Sequence, residues 1–282
     1  MKFLYFIQMK STILGAIVGD VIGSIYEFYP TKDYNFPLFD KRMEITDDSI
    51  MTITVADWLL HTDLSHEALS CKMRLWGNKY PDPLGGYGRQ FYAWLKRSDM
   101  GAYNSWGNGS AMRVSPIGFA FDELDKVLYY AKISAEVTHN HIEGIKGAQA
   151  TAAAIFMARK GINRELIRNS ISRMFNYNLN LTCNDIRPNY HFQESCQRTV
   201  PQSIVAFLDS KNYEDAIRLA VSLGGDADTM GAITGGIAAA FYDMPEEMCQ
   251  FAMSRIPQDL KEVVIEFESK YGYFSQNSPI FG

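Results

Sequence analysis

Small residues recur at four-residue spacing in two segments near opposite ends of the chain. The two series are Gly15, Gly19 and Gly23, then Gly231, Gly235 and Ala239. In a helix, residues four apart lie on one face, and a face of small residues lets two helix axes approach closely. Paired membrane helices use the same spacing, but the charged residues in these segments exclude that interpretation. The spacing therefore predicts an interior of closely packed helices.

Most of the chain places apolar residues at helical spacing, and we find no sustained alternation of apolar and polar residues. Loops rich in proline, glycine or polar residues separate some of the segments, at 29–40, 81–88, 101–109 and 176–191. No tandem repeat or linker divides the sequence, which predicts an all-α fold with one compact domain over residues 1–282. The predicted helices cover residues 13–28, 49–61, 65–76, 90–96, 122–135, 144–160, 164–175, 194–208, 213–223, 228–242, 246–254 and 260–271.

Composition excludes several classes of partner. The net charge is -5 with 21% charged residues, so no basic excess favours nucleic acid or an anionic membrane. No apolar run is long enough for a membrane span, and the first one, residues 3–7, is too short for a signal peptide. The four cysteines lack zinc-like or C-x-x-C spacing, so we expect reduced thiols in a cytoplasmic, unprocessed protein.

Two acidic clusters, far apart in sequence, each stand beside a threonine at a predicted helix start. They are Thr46-Asp47-Asp48 and Asp226-Ala227-Asp228-Thr229. Helix capping explains one acid per helix but not two. If the helix starts meet, the carboxylates need protons or cations between them, and hard divalent cations prefer such oxygen ligands. The clusters predict a two-metal site; the alternative is two ordinary capped helices at the surface.

Two further acids belong to the first small-residue helix. Asp20 lies in an otherwise apolar run, where a buried structural hydrogen bond is the alternative to a functional role. Glu27 lies at the predicted end of the same helix. A carboxylate there is placed to accept a proton or to hold an ion through a water, and the alternative is a solvated acid at a helix end.

The segment Ser105-Trp106-Gly107-Asn108-Gly109-Ser110-Ala111-Met112-Arg113 is rich in glycine. Glycines on both sides of Asn108 allow the backbone to approach a ligand, and their N–H groups with a following helix start can cradle a phosphate. A tight turn at a helix entry is the alternative.

The segment Thr138-His139-Asn140-His141 contains two histidines separated by one residue. Such a pair binds one metal ion only in an extended segment, and no third soft ligand is near. We therefore favour a capping turn over a zinc site, with His139 facing a ligand.

Five motifs, taken in order, resemble the ADP-ribosylglycohydrolase family, which includes the dinitrogenase reductase-activating glycohydrolases. They run from residue 15 to about residue 240, and the ordered set is far more specific than any one motif. The motifs are Gly-Asp-x-x-Gly-Ser-x-Tyr-Glu, Thr-Asp-Asp-Ser, Gly-Asn-Gly-Ser-Ala-Met-Arg, Thr-His-x-His-x-Glu-Gly and Gly-Gly-Asp-Ala-Asp-Thr.

The resemblance implies an all-α fold around a binuclear magnesium or manganese centre, with Asp228 approaching both ions. Glu27 matches an acid that some branches place near the scissile bond, notably those acting on serine-linked ADP-ribose. The implied metal ligands are Thr46, Asp47, Asp48, Asp226, Asp228 and Thr229, and Glu27, Asp47, Asp48 and Asp228 are the implied catalytic residues. The implied substrate-binding residues are Ser105, Gly107, Asn108, Gly109, Ser110 and His139.

The resemblance further implies a hydrolase that uses two divalent cations, Mg²⁺ or Mn²⁺. It would cleave the ribose C1″ glycosidic bond of an ADP-ribosylated protein or a small ADP-ribose conjugate. One alternative is an ADP-ribose-binding protein without catalysis. Another is a two-metal phosphoesterase, which the absence of histidine from both clusters disfavours. The acceptor linkage, the metal, the oligomeric state and the aromatic side chain that stacks on adenine stay open.

Overall fold

The computed structural model describes residues 9–10 and 12–274, and it is helical over most of this length. Two-residue strands, Met9–Lys10 and Tyr273–Phe274, pair antiparallel. The all-α prediction is confirmed. The helices are α1 (Leu14–Gly23), α2 (Asp47–His61), α3 (His66–Lys79), α4 (Arg89–Lys96), α5 (Gly109–Met112), α6 (Ser115–Ala120), α7 (Leu124–Glu136), α8 (Ile142–Arg159), α9 (Arg164–Phe175), α10 (Cys183–Ile186), α11 (Cys196–Asp209), α12 (Tyr213–Val221), α13 (Ala227–Phe241), α14 (Glu246–Arg255) and α15 (Gln258–Tyr271).

Each predicted helical segment contains an observed helix, with ends displaced by a few residues. The largest difference is at the first segment, because α1 ends at Gly23 and a 3-10 turn, Ser24–Tyr26, follows it. The sequence missed α5, α6 and α10, which have only four to six residues each. Helices this short do not complete enough turns to show helical periodicity.

Helices α1 and α13 touch backbone to backbone through the small residues that the spacing singled out. A Cβ atom added to Gly19 would lie 1.9 Å from the Gly231 carbonyl oxygen, and one added to Gly231 would lie 2.2 Å from the Gly19 oxygen. The facing pairs are Gly15 with Gly235, Gly19 with Gly231 and Gly23 with Ala227. Because the pairs run in opposite directions along the two helices, the helices are antiparallel.

This contact places the end of α1 beside the start of α13, and therefore brings two distant acidic segments together. Around the pair lies a continuous apolar core that includes fully buried aromatic side chains from α2, α4, α6, α11 and α15. They are Trp58, Trp94, Phe119, Phe207 and Phe267. One domain over residues 1–282 stays a prediction, which a core of this extent supports.

Membrane insertion would require a helix that is both long and strongly apolar. Across the part of the chain that the structure describes, no helix meets that requirement.

The glycine contact generates a sharp stability prediction. We expect Gly231→Ala to lower the free energy of unfolding by about 2 kcal/mol, because a clash with backbone atoms puts the overpacking cost at the upper end of its usual range of about 1–3 kcal/mol. The new methyl would meet the Gly19 carbonyl, a backbone atom that cannot rotate away. The greater helix propensity of alanine offsets about 1 kcal/mol of this cost.

Gly236→Ala in the same helix is the matched control. Its added Cβ would lie 3.2 Å from the Ser115 Cβ and 3.4 Å from the Ile155 Cδ1, so these atoms need to move by only a few tenths of an ångström. We expect a change within about 1 kcal/mol for this variant. Urea unfolding of both variants measures the difference, and equal effects would contradict backbone contact between α1 and α13.

Candidate active site

Asp20 on α1 fixes the start of α2. Its carboxylate accepts hydrogen bonds from the Thr46 N–H at 3.0 Å, the Thr46 hydroxyl at 2.7 Å and the Ser49 N–H at 3.1 Å, and from the Ser49 hydroxyl. Thr46 is the N-cap residue, and its hydroxyl accepts a hydrogen bond from the Asp48 N–H at 3.1 Å. These bonds hold the first acidic cluster against α1.

Asp48 carries a buried oxygen without a partner. Its side chain is 2% exposed, and its Oδ1 atom makes no hydrogen bond with the described residues. An unsatisfied buried carboxylate oxygen is costly unless a proton or a cation meets it. Asp48 is therefore a fitting cation ligand.

The second acidic cluster forms the start of α13. Asp226 occupies the N-cap position, and its Oδ2 atom accepts a hydrogen bond of 2.7 Å from the Asn108 side chain. Asp228 accepts a hydrogen bond of 2.9 Å from the Thr229 N–H. Asp226, Asp228 and Thr229 are each at most 6% exposed. The helix start thus presents two buried carboxylates to the same region as Asp48.

The acids form two groups that share Asp228. In one group, oxygen atoms of Asp20, Asp48 and Asp228 lie within 4.8 Å of one another, and in the other those of Glu27, Asp226 and Asp228 do so. The sharing of Asp228 agrees with the position near two ions that the resemblance implies, and that role stays a prediction. Asp47 is half-buried and belongs to neither group.

Burial and mutual repulsion disfavour the charged forms of these carboxyls. Burial raises the pKa of Asp20 to about 6, although four hydrogen bonds oppose the shift. Burial likewise raises the pKa of Asp226 to about 6. The pKa values of Asp47, Asp48 and Asp228 rise well above the usual range, first through burial and then through neighbouring aspartates. Such an arrangement can hold cations, or protons in their place.

Glu27 lies just past the 3-10 turn, against the loop at 81–88. A Cβ atom added to Gly85 would lie 2.6 Å from the Glu27 Oε2 atom, so only glycine leaves room for this carboxylate. Gly85 also has a φ of +83°, which favours glycine. Burial, followed by the charges of Asp228, Asp20 and Glu194, raises the pKa of Glu27 to about 8. Glu27 is thus a carboxyl poised to exchange a proton near neutral pH.

The acids face a cavity of about 840 Å³. Loops supply most of its other walls, including Phe28 and Pro30, Tyr87, Phe192 and Glu194. Thr46 and Ser110 are the predicted site residues that do not line it. Those that do are Glu27, Asp47, Asp48, Ser105, Gly107, Asn108, Gly109, His139, Asp226, Asp228 and Thr229.

Several hydrogen-bond donors of the glycine-rich segment already have acceptors within the protein. The Gly107 N–H donates to the Ser105 hydroxyl at 3.1 Å, and the Asn108 N–H donates to the Glu194 carbonyl at 2.7 Å. The Ser110 hydroxyl donates to the Gly144 carbonyl at 2.7 Å and so is turned into the protein. The N–H groups of Gly109 and Ser110, at the start of α5, find no acceptor among the described residues.

The two histidines of the fourth motif have different roles. His141 is the N-cap of α8, where its Nδ1 atom accepts a hydrogen bond of 3.1 Å from the Glu143 N–H. The predicted capping turn is confirmed. His139 is 5% exposed, and its Nε2 atom faces the cavity beside Gly107 and Gly109. Burial and the nearby Arg113 charge lower the pKa of His139 well below its usual range.

Sequence reasoning missed several residues at the cavity. Phe192 and Glu194 follow a polar connection, and Tyr87 lies in a turn-rich segment, where no periodicity marks a functional side chain. The four hydrogen bonds of Asp20 fit the structural alternative that the sequence offers, yet Asp20 also belongs to one acidic group. The signal in the sequence that points to Asp20 is an acidic residue within an otherwise apolar helix.

A family of known proteins matches the part of the chain that contains all five motifs. The family model described as ADP-ribosylglycohydrolase matches residues 6–267. The chain belongs to the ADP-ribosylglycohydrolase family. The match confirms the resemblance that the five motifs carry, and with it the class of enzyme.

Individual members of the ADP-ribosylglycohydrolase family are distant from this chain. ADP-ribosylarginine hydrolase Tri1 of Pseudomonas putida (strain GB-1) is 25% identical over 295 residues, which cover 92% of this chain and 78% of the relative. Human ADP-ribosylhydrolase ARH3 is 23% identical over 314 residues, with 85% and 86% covered. A solved structure titled ADP-ribosylglycohydrolase-related protein complex has a TM-score of 0.69 at 21% identity, with 91% of this chain and 95% of that chain covered. The last likeness supports the fold alone.

The raised pKa values predict that the metal-free protein loses stability as pH rises. These carboxyls bind protons more tightly in the native than in the unfolded chain, so a rise in pH penalises the native state. We expect the melting temperature of the chelated protein to fall from the ordinary carboxyl range up to the pKa of about 8 at Glu27. Thermal unfolding in a chelator across this range measures the effect.

Added Mg²⁺ or Mn²⁺ should reverse the loss, and more strongly at pH 8 than at pH 5. A cation that binds only the native state stabilises it by about 2.7 kcal/mol at one hundred times its dissociation constant. Asp228→Asn should abolish the response. Part of the pH dependence should persist with metal, because Glu268 on α15 also has a pKa raised to about 7 by burial. If the melting temperature at pH 8 is the same with chelator as with added metal, the proposed metal site is refuted.

Proposed function

We propose that this protein is a metal-dependent hydrolase that cleaves the ribose C1″ glycosidic bond of ADP-ribose conjugates and releases ADP-ribose. The observation that carries the proposal is the sharing of Asp228 by two acidic groups beside one cavity. The conjugates are ADP-ribosylated protein side chains or small molecules. The free cysteines agree with a cytoplasmic setting.

The donor set suits two hard cations. Asp48 and Asp228 would hold one, with Asp226 and Asp228 holding the other, because their oxygens cluster and Asp48 Oδ1 lacks a partner. Thr46, Asp47 and Thr229 lie next to these acids in sequence and complete the proposed set. Bound cations would orient the ribose hydroxyls and polarise an attacking water. Magnesium and manganese both fit oxygen ligands of this kind.

The free N–H groups of the glycine-rich segment suit a diphosphate. Gly109 and Ser110 offer N–H donors, and His139 lies beside them. A second cavity of about 490 Å³ adjoins the first and is lined by Trp106 and Phe192, with Ser105 common to both cavities. Trp106 is 57% exposed, an aromatic face available for stacking on adenine. Gly107 and Phe192 also line both cavities, so one extended ligand can reach from the first into the second.

Glu27 is the proposed general base. It lies within one of the acidic groups, so its carboxylate can accept a proton from a water held there. The pKa of about 8 belongs to the metal-free site, and nearby cations would lower it and favour the basic form at neutral pH. A transition state with oxocarbenium character would also gain from the negative charge around it.

The proposed activity predicts ADP-ribose release from at least one defined conjugate. The panel contains arginine-linked, serine-linked and O-acetyl-ADP-ribose, each with Mg²⁺, with Mn²⁺ and with a chelator. Asp228→Asn removes one charge at equal volume and should abolish turnover while the far-ultraviolet spectrum stays unchanged. Tight ADP-ribose binding without turnover of any conjugate would favour a silent binding protein. Phosphate release instead would favour a phosphoesterase.

We expect Glu27→Gln to lower turnover by about a hundredfold or more, the usual scale for losing a general base, with ADP-ribose affinity little changed. The substitution keeps size and polarity but removes the proton acceptor. Glu194→Gln is the matched control, because Glu194 contributes charge near Glu27 from an exposed position. It should shift the pH profile and cost far less turnover. Near wild-type turnover in Glu27→Gln would exclude its role as a base.

A further inference from the structure

Arg113 is a buried cation that the proposed chemistry does not use. Its side chain is 1% exposed, and it forms no ion pair with an acid in residues 12–274. Its Nη2 atom donates to the Ser134 carbonyl at 3.0 Å and to the Thr138 hydroxyl at 2.8 Å. A charge held without a counterion is costly, which suggests that its donor capacity serves another group.

The Thr138 hydroxyl links Arg113 to His139. Its oxygen lies 2.8 Å from the His139 Nδ1 atom, so one of the two groups donates to the other. A guanidinium has donors and no acceptor, so one lone pair of the hydroxyl is already taken by Arg113. The remaining question is where the single hydroxyl proton goes.

Two proton arrangements are open to Arg113, Thr138 and His139, and they differ in the acceptor that the Thr138 hydroxyl meets. If the Thr138 hydroxyl donates to Nδ1, the arginine, the threonine and the imidazole nitrogen each have a partner. If Nδ1–H donates instead, the hydroxyl proton is left with the neighbouring phenol of Tyr103, a weaker acceptor than an imidazole nitrogen. The first arrangement leaves a neutral imidazole with its proton on Nε2.

The Nε2 atom of His139 faces the part of the cavity that is lined by Gly107 and Gly109. A Cβ atom added to Gly109 would lie 3.1 Å from Nε2, and one added to Gly107 would lie 3.5 Å away. Any group placed between these glycines therefore meets Nε2 directly. An N–H there attracts an anionic oxygen, whereas a bare lone pair would repel it.

We propose that Arg113, acting through Thr138, holds His139 as the neutral Nε2–H tautomer, so that His139 donates a hydrogen bond to a phosphate oxygen of the ligand. Thr138 does not line the cavity and Arg113 borders it while 1% exposed, so both act here as positioning residues through His139. The identity of the ligand rests on the proposed function, but the tautomer does not. The low pKa of His139 agrees with a neutral ring, because burial and the Arg113 charge both oppose a second proton.

Nitrogen NMR of the unliganded protein tests the tautomer directly. The chain has five histidines, and His139→Gln identifies the signals of His139 by their loss. We expect a protonated Nε2 and an unprotonated Nδ1 that persist from pH 6 to pH 8. A proton on Nδ1 would overturn the inference, whatever the protein cleaves.

Variants at Thr138 test whether its hydroxyl sets the tautomer of His139 and whether that tautomer strengthens ADP-ribose binding. Thr138→Val keeps the shape but removes the hydroxyl, so His139 should populate both tautomers and ADP-ribose should bind about tenfold or more weakly. Thr138→Ser keeps the hydroxyl and should restore both properties. Adenosine, which lacks the diphosphate, should bind all three proteins equally.

The outcomes separate this inference from the proposed function. Inorganic pyrophosphate should shift the Nε2–H signal in the wild type, and no shift would overturn the anionic contact. An Nε2–H proton in a wild type that binds no ADP-ribose would refute the proposed function and leave the tautomer established. An unchanged tautomer in Thr138→Val would overturn the role of Thr138 and Arg113.

Discussion

The direct backbone contact between α1 and α13 is the constraint on which the site depends. Any side chain larger than hydrogen at Gly19 or Gly231 would collide with the opposite backbone, so the two helices approach as closely as polypeptide allows. Their antiparallel direction then sets Asp20 and Asp228 within reach of each other, although 207 residues separate them along the chain. Because hydrogen bonds from the start of α2 end on Asp20, the acidic cluster of Thr46, Asp47 and Asp48 is positioned through α1 rather than independently.

Close packing of acids has an electrostatic cost that the helices alone do not offset. Burial raises the pKa of these aspartates, neighbouring carboxylates raise the pKa values of Asp48 and Asp228 further, and the Oδ1 atom of Asp48 has no partner among the described residues. Helix dipoles at the starts of α2 and α13 favour negative charge there, but each is worth only about 0.3–1 kcal/mol near the surface and up to about 2 kcal/mol where partly buried. The fold therefore brings together buried carboxylates whose charge must be neutralised by protons or by cations, unlike the exposed acids of an ordinary pair of capped helices.

Sequence and structure agree most where periodicity and capping act locally. The four-residue spacing of glycines predicted close helices, and the threonine–aspartate pairs predicted helix starts, because both rules depend on neighbours in sequence. The sequence could not show that α1 pairs with α13, since many helices carry small residues. It also could not show that Ser110 turns inward to the Gly144 carbonyl, or that Glu194 borders the cavity. These depend on tertiary hydrogen bonds between loops, for which local patterns carry no signal.

Hydrogen bonds from one lysine connect three of the segments around the cavity. Lys32 donates from its Nζ atom to the Arg187 carbonyl at 2.8 Å and the Tyr190 carbonyl at 2.5 Å, and also to the Leu223 carbonyl. One lysine therefore joins the loop that carries Phe28 to the connection that carries Phe192 and to the turn before α13. Three carbonyl partners satisfy all three ammonium donors, so the ammonium fixes the spacing between these segments. Lys32 thus connects segments that carry cavity residues, while the contact between α1 and α13 brings the acids together.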